Sequence, residues 1–453
     1  MSRLLIPVAL LLSAGPGLAA QPATGPDFAA AGLHQPACAD APVPDRPLAL
    51  ADLIDIALCR APATSAAWAG VRAAAAREAQ ARAAYGPSLS AAVGPDVSAS
   101  RRWGGGFPAA TDSSASATAQ LSLQWLLFDF GGRQAALAGA EAARAAAMAS
   151  FAGTAQDVVE ETALAYNAYV SAMASARAAD ANAGFAQTSL AAATARERAG
   201  VAIKSDRLQA DAAYARALLE QRQAQGTLET QRGRLLTALS LPPDGRITVA
   251  EPPAPSSAVA RASARALLEE AARLRPDLRL QAATLESARA AVAQARAARR
   301  PSVSVGAGPS VSVGTQGQDS AVATAGVTMS IPLFNSGGRT AALREAEAER
   351  DRAEANLALA GQQAALEVWS RYQDLETASA NLETTRRLLA SAEEAAALAQ
   401  GRYKAGLAGI TELLDAQSSL TGARQQKVLA DLQLRASELQ LARSVGAVGD
   451  ALE

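Results

Sequence analysis

Four stretches of the chain alternate apolar and polar side chains with a period of two residues. They lie at about 88–99, 116–127, 301–313 and 320–331. Val, Leu and Ala occupy most of every second position, and Ser, Gly, Thr and Gln occupy most of the positions between them. A period of two predicts β-strands that have one apolar face and one polar face. The four strands are expected to form two β-hairpins.

These predicted strands are long enough to cross a lipid bilayer. Each has about 11–14 residues, compared with about 9–11 for a tilted membrane-spanning strand. Large aromatic residues lie near strand ends, where the interfacial girdle of a membrane barrel would place them. They are Trp103, Phe107, Trp125, Phe128, Phe130 and Phe334. A soluble sheet with one wet face is the alternative, but it does not explain why the apolar side chains are so small.

Helical periodicity covers most of the remaining chain. Helices are predicted before each hairpin at 49–85 and 263–300, after each hairpin at 135–198 and 340–402, and beyond a short turn at 206–239 and 412–445. The helix after each hairpin would be roughly 95 Å long. In each set, the helix before the hairpin and the helix beyond the turn together have nearly the same length as this long helix. We therefore expect them to stack end to end beside the long helix.

The chain repeats itself with a constant step. The segment Leu127-Phe128-Asp129-Phe130-Gly131-Gly132-Arg133 returns 206 residues later as Leu333-Phe334-Asn335-Ser336-Gly337-Gly338-Arg339. A tandem duplication of one helix–hairpin–helix unit is therefore predicted. We expect a first repeat at 49–240, a linker at 241–262, a second repeat at 263–446 and a tail at 447–453.

The composition favours long helices over a large globular core. Half of the residues are hydrophobic but only 4% are aromatic, and Ala, the best helix former, dominates the apolar count. The net charge of −1 gives no basic surface for nucleic acid. His34 is the one histidine, and the sequence has no phosphate-binding loop and no nucleophile with a nearby base. We therefore expect no enzyme activity, no cofactor and no metal site.

The N-terminus has the pattern of a secretory signal peptide at 1–20. Arg3 precedes an apolar run at 4–12, and small residues follow up to Ala20. A membrane anchor is the alternative, but the run is about half of the roughly 18 residues that a spanning helix needs. A Pro-rich arm is expected at 21–48. In an exported chain, Cys38 and Cys59 are expected to form a disulfide between this arm and the first helix, although two unrelated buried thiols would also fit.

Strands in lipid must close into a barrel, because every backbone N–H and C=O group there needs a partner within the protein. One chain supplies four strands, so several chains must associate. Two chains would give eight strands and an interior filled by side chains. Three chains would give twelve strands and room for a water-filled lumen, which the polar face of each strand would suit.

These motifs together resemble the TolC-like outer-membrane efflux and secretion channels of Gram-negative bacteria. The resemblance rests on the paired Leu-Phe-x-x-Gly-Gly-Arg segments, on Leu241-Pro242-Pro243-Asp244, and on the sequence at 402–407 followed by 413–417. It implies an α+β membrane protein, a homotrimer whose 12-stranded β-barrel lies in the outer membrane and continues into a long periplasmic α-helical barrel. It also implies two partners, a periplasmic adaptor and an inner-membrane ABC or proton-driven transporter.

The resemblance further implies that the helical turns form the periplasmic end of the channel and contact the adaptor. The residues at these turns are Ala199, Gly200 and Val201 in the first repeat, and Ala405, Gly406 and Leu407 in the second. Glu412 and Asp415 stand at the offsets where the family has its narrowest, cation-attracting ring. The alternative is that these acids only begin a helix, where the helix dipole favours them.

A gate is implied at the same end of the molecule. Asp206, with Ser205 beside it, occupies the family's gate position, and the resemblance pairs such an acid with a tyrosine, here Tyr403. The better-known members also have an arginine two residues past the second turn glycine. This chain has Ala408 there, so we expect its gate either to be leakier or to be held closed by other contacts.

The predicted function is the exit duct of a tripartite type I secretion or efflux system, which passes protein or small molecules without chemistry of its own. The absence of a lipidation cysteine and the cysteine-bearing arm favour the secretion branch by analogy. A multidrug efflux component is one alternative. A soluble periplasmic coiled-coil adaptor is another, although the sequence has no pattern of a lipoyl-like β domain.

Overall fold

The structure of the protein, a computed structural model, describes residues 46–104, 107–250, 263–315 and 319–447. The predicted signal peptide, His34 and Cys38 lie outside the described residues, so the signal and the disulfide stay predictions. Cys59 is half-buried near the end of the first helix. The elements in chain order are α1 (Leu50–Arg60), α2 (Pro62–Ala83), β1 (Ser88–Gly104), β2 (Phe107–Phe128), α3 (Gly132–Arg198), α4 (Lys204–Ala238), α5 (Ala264–Leu274), α6 (Pro276–Ala297), β3 (Ser302–Gly314), β4 (Ser320–Ser330), α7 (Gly338–Lys404) and α8 (Ile410–Val445).

A proline divides the helix that precedes each hairpin. The prediction of one continuous helix at 49–85 and another at 263–300 is therefore wrong. Pro62 begins α2 and Pro276 begins α6, and the residue before each has an extended ψ of 124°. Proline has no N–H to donate and disfavours helical ψ in the preceding residue. Both repeats are consequently broken at the same place.

The four strands form one antiparallel sheet in sequence order, β1-β2-β3-β4. Leu89 pairs with Leu123, which pairs with Ala307 on the next strand. Directly opposed residues of an antiparallel pair share a face. The predicted apolar positions therefore lie together on one face, and the polar positions lie on the other. This confirms the two-faced sheet that the alternating pattern predicted.

The strands of the first hairpin are longer than predicted. β1 has 17 residues and β2 has 22, whereas β3 has 13 and β4 has 11. The backbone ladder continues through the pairs Ser100–Asp112 and Arg101–Thr111, where charged residues end the alternating pattern. The expected length of about 11–14 residues therefore holds for the second hairpin and fails for the first.

The Leu-Phe-x-x-Gly-Gly-Arg motif is the turn from each hairpin into the long helix. Two consecutive residues have positive φ: Phe130 (54°) and Gly131 (93°) in the first copy, and Ser336 (53°) and Gly337 (84°) in the second. The second position suits glycine, which adopts positive φ without a Cβ clash. The side chain before this pair caps the helix. Asp129 Oδ2 accepts a hydrogen bond from the Arg133 N–H at 2.7 Å, and Asn335 Oδ1 accepts one from the Arg339 N–H at 3.3 Å.

Shorter helices lie along each long helix, as predicted, but each repeat has three of them because a proline divides the first. α2 and α4 pack against α3, and α6 and α8 pack against α7. α3 also contacts α6 and α8, which joins the two repeats along their length. With 67 residues each, α3 and α7 are roughly 100 Å long. No helix among the described residues is long and apolar enough to cross a membrane.

A buried arginine ties the second repeat together at its broken helix. Arg275, between α5 and α6, forms salt bridges with Asp277 at 2.7 Å and with Glu367 of α7 at 2.8 Å. It also donates to the backbone oxygen of Ser444 in α8 at 2.8 Å. Burial disfavours the charged form of Asp277, but the hydrogen bonds and the charge of Arg275 outweigh that effect and hold the pKa of this carboxyl below its ordinary 3.8.

We predict that Asp277→Asn lowers the free energy of unfolding by about 1 kcal/mol at neutral pH, because Asp277 is half-exposed and its pair is partly screened. A depressed pKa in the folded state stabilises the protein above the unfolded-state pKa. The difference between the two proteins should therefore be full at neutral pH and vanish as the pH falls below 3.8. Denaturation of both proteins across a pH series measures it.

The matched control for that experiment is Asp374→Asn. Asp374 faces Arg371 at 3.5 Å on the same helix, and both side chains are exposed. Exposed pairs of this kind contribute about 0.5 kcal/mol or less. A loss in Asp277→Asn that is no larger than in the control, or that persists at low pH, would contradict the role given to the Arg275 cluster.

Candidate functional site

The two helical turns at the end opposite the sheet have the same backbone geometry. Gly200 has a φ of 72° and Gly406 a φ of 76°. The N–H of Val201 donates to the Arg196 oxygen at 3.0 Å, and the N–H of Leu407 donates to the Arg402 oxygen at 2.9 Å. This is the Schellman pattern that ends a helix at a left-handed glycine. The predicted turns at Ala199, Gly200 and Val201 and at Ala405, Gly406 and Leu407 are thus turns in the structure, and we call them the first and second tips.

Apolar side chains stand out from both tips. Val201 is 74% exposed, Ile203 is 68% exposed and Leu407 is 73% exposed in the single chain. Each lies at or next to a turn whose backbone is held by its own hydrogen bonds. The tips therefore present apolar groups on a fixed backbone, which is the kind of surface that another protein can bind.

An arginine joins the end of α3 to the end of α7. The Arg196 guanidinium donates to the Tyr403 backbone oxygen at 2.6 Å and lies 4.3 Å from the centroid of the Tyr403 ring. Tyr403 is itself buried against Ile410 and Leu413. This contact connects the first repeat to the second at the tips. Sequence reasoning missed Arg196, because nothing in the spacing of the chain relates it to a tyrosine in the other repeat.

The gate residues predicted in the first repeat lie at the start of α4. Ser205 is exposed and Asp206 is half-buried in the first turn of that helix. The hydrogen bonds of the described residues include none between the Asp206 and Tyr403 side chains within one chain. The Arg196 guanidinium lies over the Tyr403 ring instead. The pairing of Asp206 with Tyr403 therefore stays a prediction about contacts between chains.

Glu412 and Asp415 both lie exposed in the first two turns of α8. They are three residues apart and so share a helix face, whereas Leu413 points to the buried side. Glu412 forms a salt bridge with Arg402 at 3.0 Å, and both side chains are about half exposed. Asp415 borders a groove between α4 and α8 that Arg216 and Gln417 also line. Both carboxylates lie on the exposed side of α8. Chains arranged around a common axis could therefore bring the carboxylates of several copies together.

Polar hydrogen bonds link the repeats on both sides of these acids along α8. Thr421 donates to the Asn182 side-chain oxygen at 3.2 Å, and the Asn182 amide donates to Glu220 at 3.5 Å. Thr411 donates to the side-chain oxygen of Gln209 at 3.3 Å. These bonds cross between α3, α4 and α8, so they fix how the first repeat sits against the second near the tips. Their members are far apart in sequence, and no local pattern marks them.

Comparison with known proteins assigns the family. The model of the outer membrane efflux protein family matches residues 53–240 and 267–447. The chain therefore belongs to this family, and it is an outer-membrane channel with a periplasmic extension. The two matched segments correspond to the two repeats. This assignment sets aside the alternative of a soluble periplasmic adaptor.

Several individual proteins are similar to this chain. Protein CyaE of Bordetella pertussis is 33% identical over 406 residues, which cover 89% of this chain and 85% of that protein. The solvent efflux pump outer membrane protein SrpC of Pseudomonas putida is 30% identical over 244 residues, about half of each chain (52% of both). The crystal structure of the outer membrane protein VceC of Vibrio cholerae superposes with a TM-score of 0.76 at 25% identity, covering 88% of this chain and 96% of that one.

We predict that Arg196→Gln loosens both tips without unfolding the helices. The substitution removes a charge-assisted hydrogen bond and a cation–π contact, together about 2 kcal/mol. Backbone amides at 199–203 and 405–409 should then exchange hydrogen at least tenfold faster, because local opening becomes easier. Hydrogen–deuterium exchange with mass spectrometry measures the rates.

Arg198→Gln is the matched control, since Arg198 is exposed and lies on the same helical turn. It should leave the exchange rates of both tips unchanged. Equal effects of the two variants would mean that Arg196 acts only as a surface charge.

Proposed function

We propose that the protein is the exit duct of a tripartite export system, in which three copies form one continuous channel from the periplasm through the outer membrane. The sheet would supply four of twelve barrel strands, and the long helices would supply the periplasmic barrel. The observation that carries this proposal is a four-stranded sheet, apolar on one face and polar on the other, that ends in unpaired edges in a protein of the outer membrane.

The edges support assembly through the sheet. Among the residues that the structure describes, β1 and β4 each pair with one neighbour only, so each leaves a row of backbone groups without a strand partner there. In hydrocarbon such groups cost several kcal/mol each unless they are bonded. Pairing β4 of one copy with β1 of the next would satisfy both edges and close the barrel. Four strands per chain make the smallest barrel with a water-filled lumen a trimer.

Apolar side chains on the helices support the same arrangement. α7 exposes Leu359 (52%), Leu366 (67%) and Trp369 (50%), which lie seven and three residues apart and so form one stripe. Trp369 stacks on Tyr372 with ring centroids 6.4 Å apart. A stripe at this spacing is typical of a helix that packs against another helix. We infer that the helices of a neighbouring copy cover it.

Three copies around one axis would bring their carboxylates together at the tips. Glu412 and Asp415 are exposed on one face of α8, and their side chains would line the narrow end of the channel. A ring of carboxylates attracts cations and disfavours anions. The Arg402–Glu412 salt bridge at 3.0 Å would hold the acid nearer the tip in place, and the charge of Asp415, further along α8, would face the lumen.

The tips are the proposed contact with a periplasmic adaptor, which would in turn bring an inner-membrane ABC or proton-driven transporter. Val201, Ile203 and Leu407 are exposed apolar groups at this end. The energy for export would come from the transporter, and the channel itself would be passive. For the cargo we propose protein or small molecules. SrpC, which is similar to about half of this chain, is the outer membrane protein of a solvent efflux pump. CyaE is similar to 89% of this chain.

We predict that a trivalent cation blocks the channel through its carboxylates. Purified protein in planar bilayers should give small conductances that such a cation blocks from the side of the tips. Asp415→Asn with Glu412→Gln should raise the blocking concentration at least tenfold, because the ring loses the charge that concentrates the cation. Single-channel recording measures both values.

Asp431→Asn is a suitable control, because Asp431 is paired with Lys427 on the same helix and lies further from the tips. It should leave the block unchanged. Block that persists in the double variant would contradict the carboxylate ring. Absence of any conductance from a correctly assembled trimer would contradict the open duct, and migration of the unheated protein as a monomer would contradict the trimer.

A further inference from the structure

The junction between the sheet and the helices contains a groove with arginine side chains and no acidic side chain among its lining residues. The groove lies between the start of α3 and the end of α6 and has a volume of about 410 Å³. Alanines from both helices form its floor, and Gln134, Arg296 and Arg300 stand at its sides. We call this feature the junction groove. Its small floor residues leave room for a ligand, and its walls carry positive charge.

The arginines of the junction groove are only partly neutralised. Arg296 lies 3.3 Å from Glu347 of α7, and the two side chains are 58% and 37% exposed. Arg300 has no salt bridge or hydrogen bond from its side chain among the described residues, and its guanidinium lies 5.9 Å from the centroid of the Phe130 ring. Exposed pairs such as Arg296–Glu347 are weak and exchange partners at little cost. Two guanidinium groups are thus available to an anion.

The groove opens next to the apolar face of the sheet. Phe130 packs edge-on against Phe128 with ring centroids 4.7 Å apart. Phe128 pairs with Val303, one of the alternating valines of the apolar face of β3. At the corresponding end of the second hairpin, Leu333 and Phe334 are 90% and 85% exposed. An apolar surface that could hold acyl chains is therefore continuous with a basic groove that could hold a phosphate.

We propose that the junction groove binds the phosphate of an anionic phospholipid from the periplasmic leaflet of the outer membrane. Guanidinium groups bind phosphate oxygens through charge-assisted, often bidentate hydrogen bonds. Basic pockets at the edge of a membrane-spanning region are typical sites for acidic lipid headgroups. Arg296 and Arg300 contact the phosphate, Gln134 donates a further hydrogen bond, and Phe128 and Phe130 lie along the first part of the acyl chains.

This proposal depends on the place of the protein in the outer membrane and not on the export of any cargo. A lipid held here would fix the height of the barrel in the bilayer, because its headgroup would be bound to α3 and α6 while its chains lie against β2 and β3. Aromatic and basic side chains commonly set the depth of a membrane protein in this way. The site would repeat once per chain.

The test is native mass spectrometry of the full-length protein purified in detergent and mixed with defined lipids. Phosphatidylglycerol should remain bound at one molecule per chain, and phosphatidylcholine should bind at least tenfold more weakly. Arg296→Gln with Arg300→Gln should weaken phosphatidylglycerol binding at least tenfold. Inorganic phosphate at millimolar concentration, which has the same anionic chemistry without acyl chains, should not displace the lipid.

Arg299→Gln is the matched control. Arg299 is exposed and lies beside Arg300 in sequence, but it is not among the residues that line the groove. It should bind phosphatidylglycerol as the unsubstituted protein does. Both variants change exposed residues, and resistance of the oligomer to heat in each shows whether it still assembles.

Three results would overturn the proposal. Equal loss in Arg299→Gln would mean a diffuse charge effect and no site. Displacement by inorganic phosphate would mean an anion site that does not recognise lipid. Unchanged binding in the double variant would mean that the lipid is held elsewhere. The lipid assay does not require a conducting channel, so failure of the duct in bilayer recordings and failure of this site are separate outcomes.

Discussion

A β-strand in hydrocarbon must bond each of its backbone N–H and C=O groups to another strand, and the rest of this molecule depends on that requirement. The chain supplies β1 to β4 as one sheet with an open edge on either side. Its apolar face bears small residues, mostly Val, Ala and Leu, which would be unusual as the surface of a water-soluble domain. Assembly of several copies is therefore part of the fold itself, since a single sheet cannot satisfy its edges in the membrane.

The duplication gives the helical part of the molecule two similar units. Each repeat places three shorter helices beside one long helix, and the two long helices have the same length of 67 residues. The same Asx-capped turn, with two positive φ angles, leads from each hairpin into its long helix. The two repeats differ at the hairpin and at the turn that follows it. The first hairpin is longer, and Arg133 there bonds the Leu126 and Leu127 oxygens in addition to facing Asp129.

The tips and the apolar core of the helical region are held by different interactions. At the tips, the first and second repeats are joined by Arg196 on Tyr403 and by hydrogen bonds among Asn182, Glu220 and Thr421. These polar contacts are individually modest, so local opening costs less free energy there than in an apolar core. Where α1 and the end of α4 pack against α3, Phe151, Leu53 and Leu235 are fully buried in one apolar cluster. That apolar cluster cannot rearrange without exposing surface to water, so motion is expected at the tips rather than there.

Much of this protein is determined by the sequence alone, because the signals are local and periodic. The period of two in the strands, the step of 206 residues and the turn glycines predicted the sheet, the duplication and both tips, and the structure agrees with each. Pro62 and Pro276 are visible in the sequence, but the helical periodicity continues on both sides of each proline. The two breaks were therefore not predicted. Other features depended on side chains that meet only after folding. Arg196 and Tyr403, Arg275 and Glu367, and the junction groove of Arg296 and Arg300 unite residues from separate elements. No spacing along the chain records such contacts, since they arise from how long helices lie side by side.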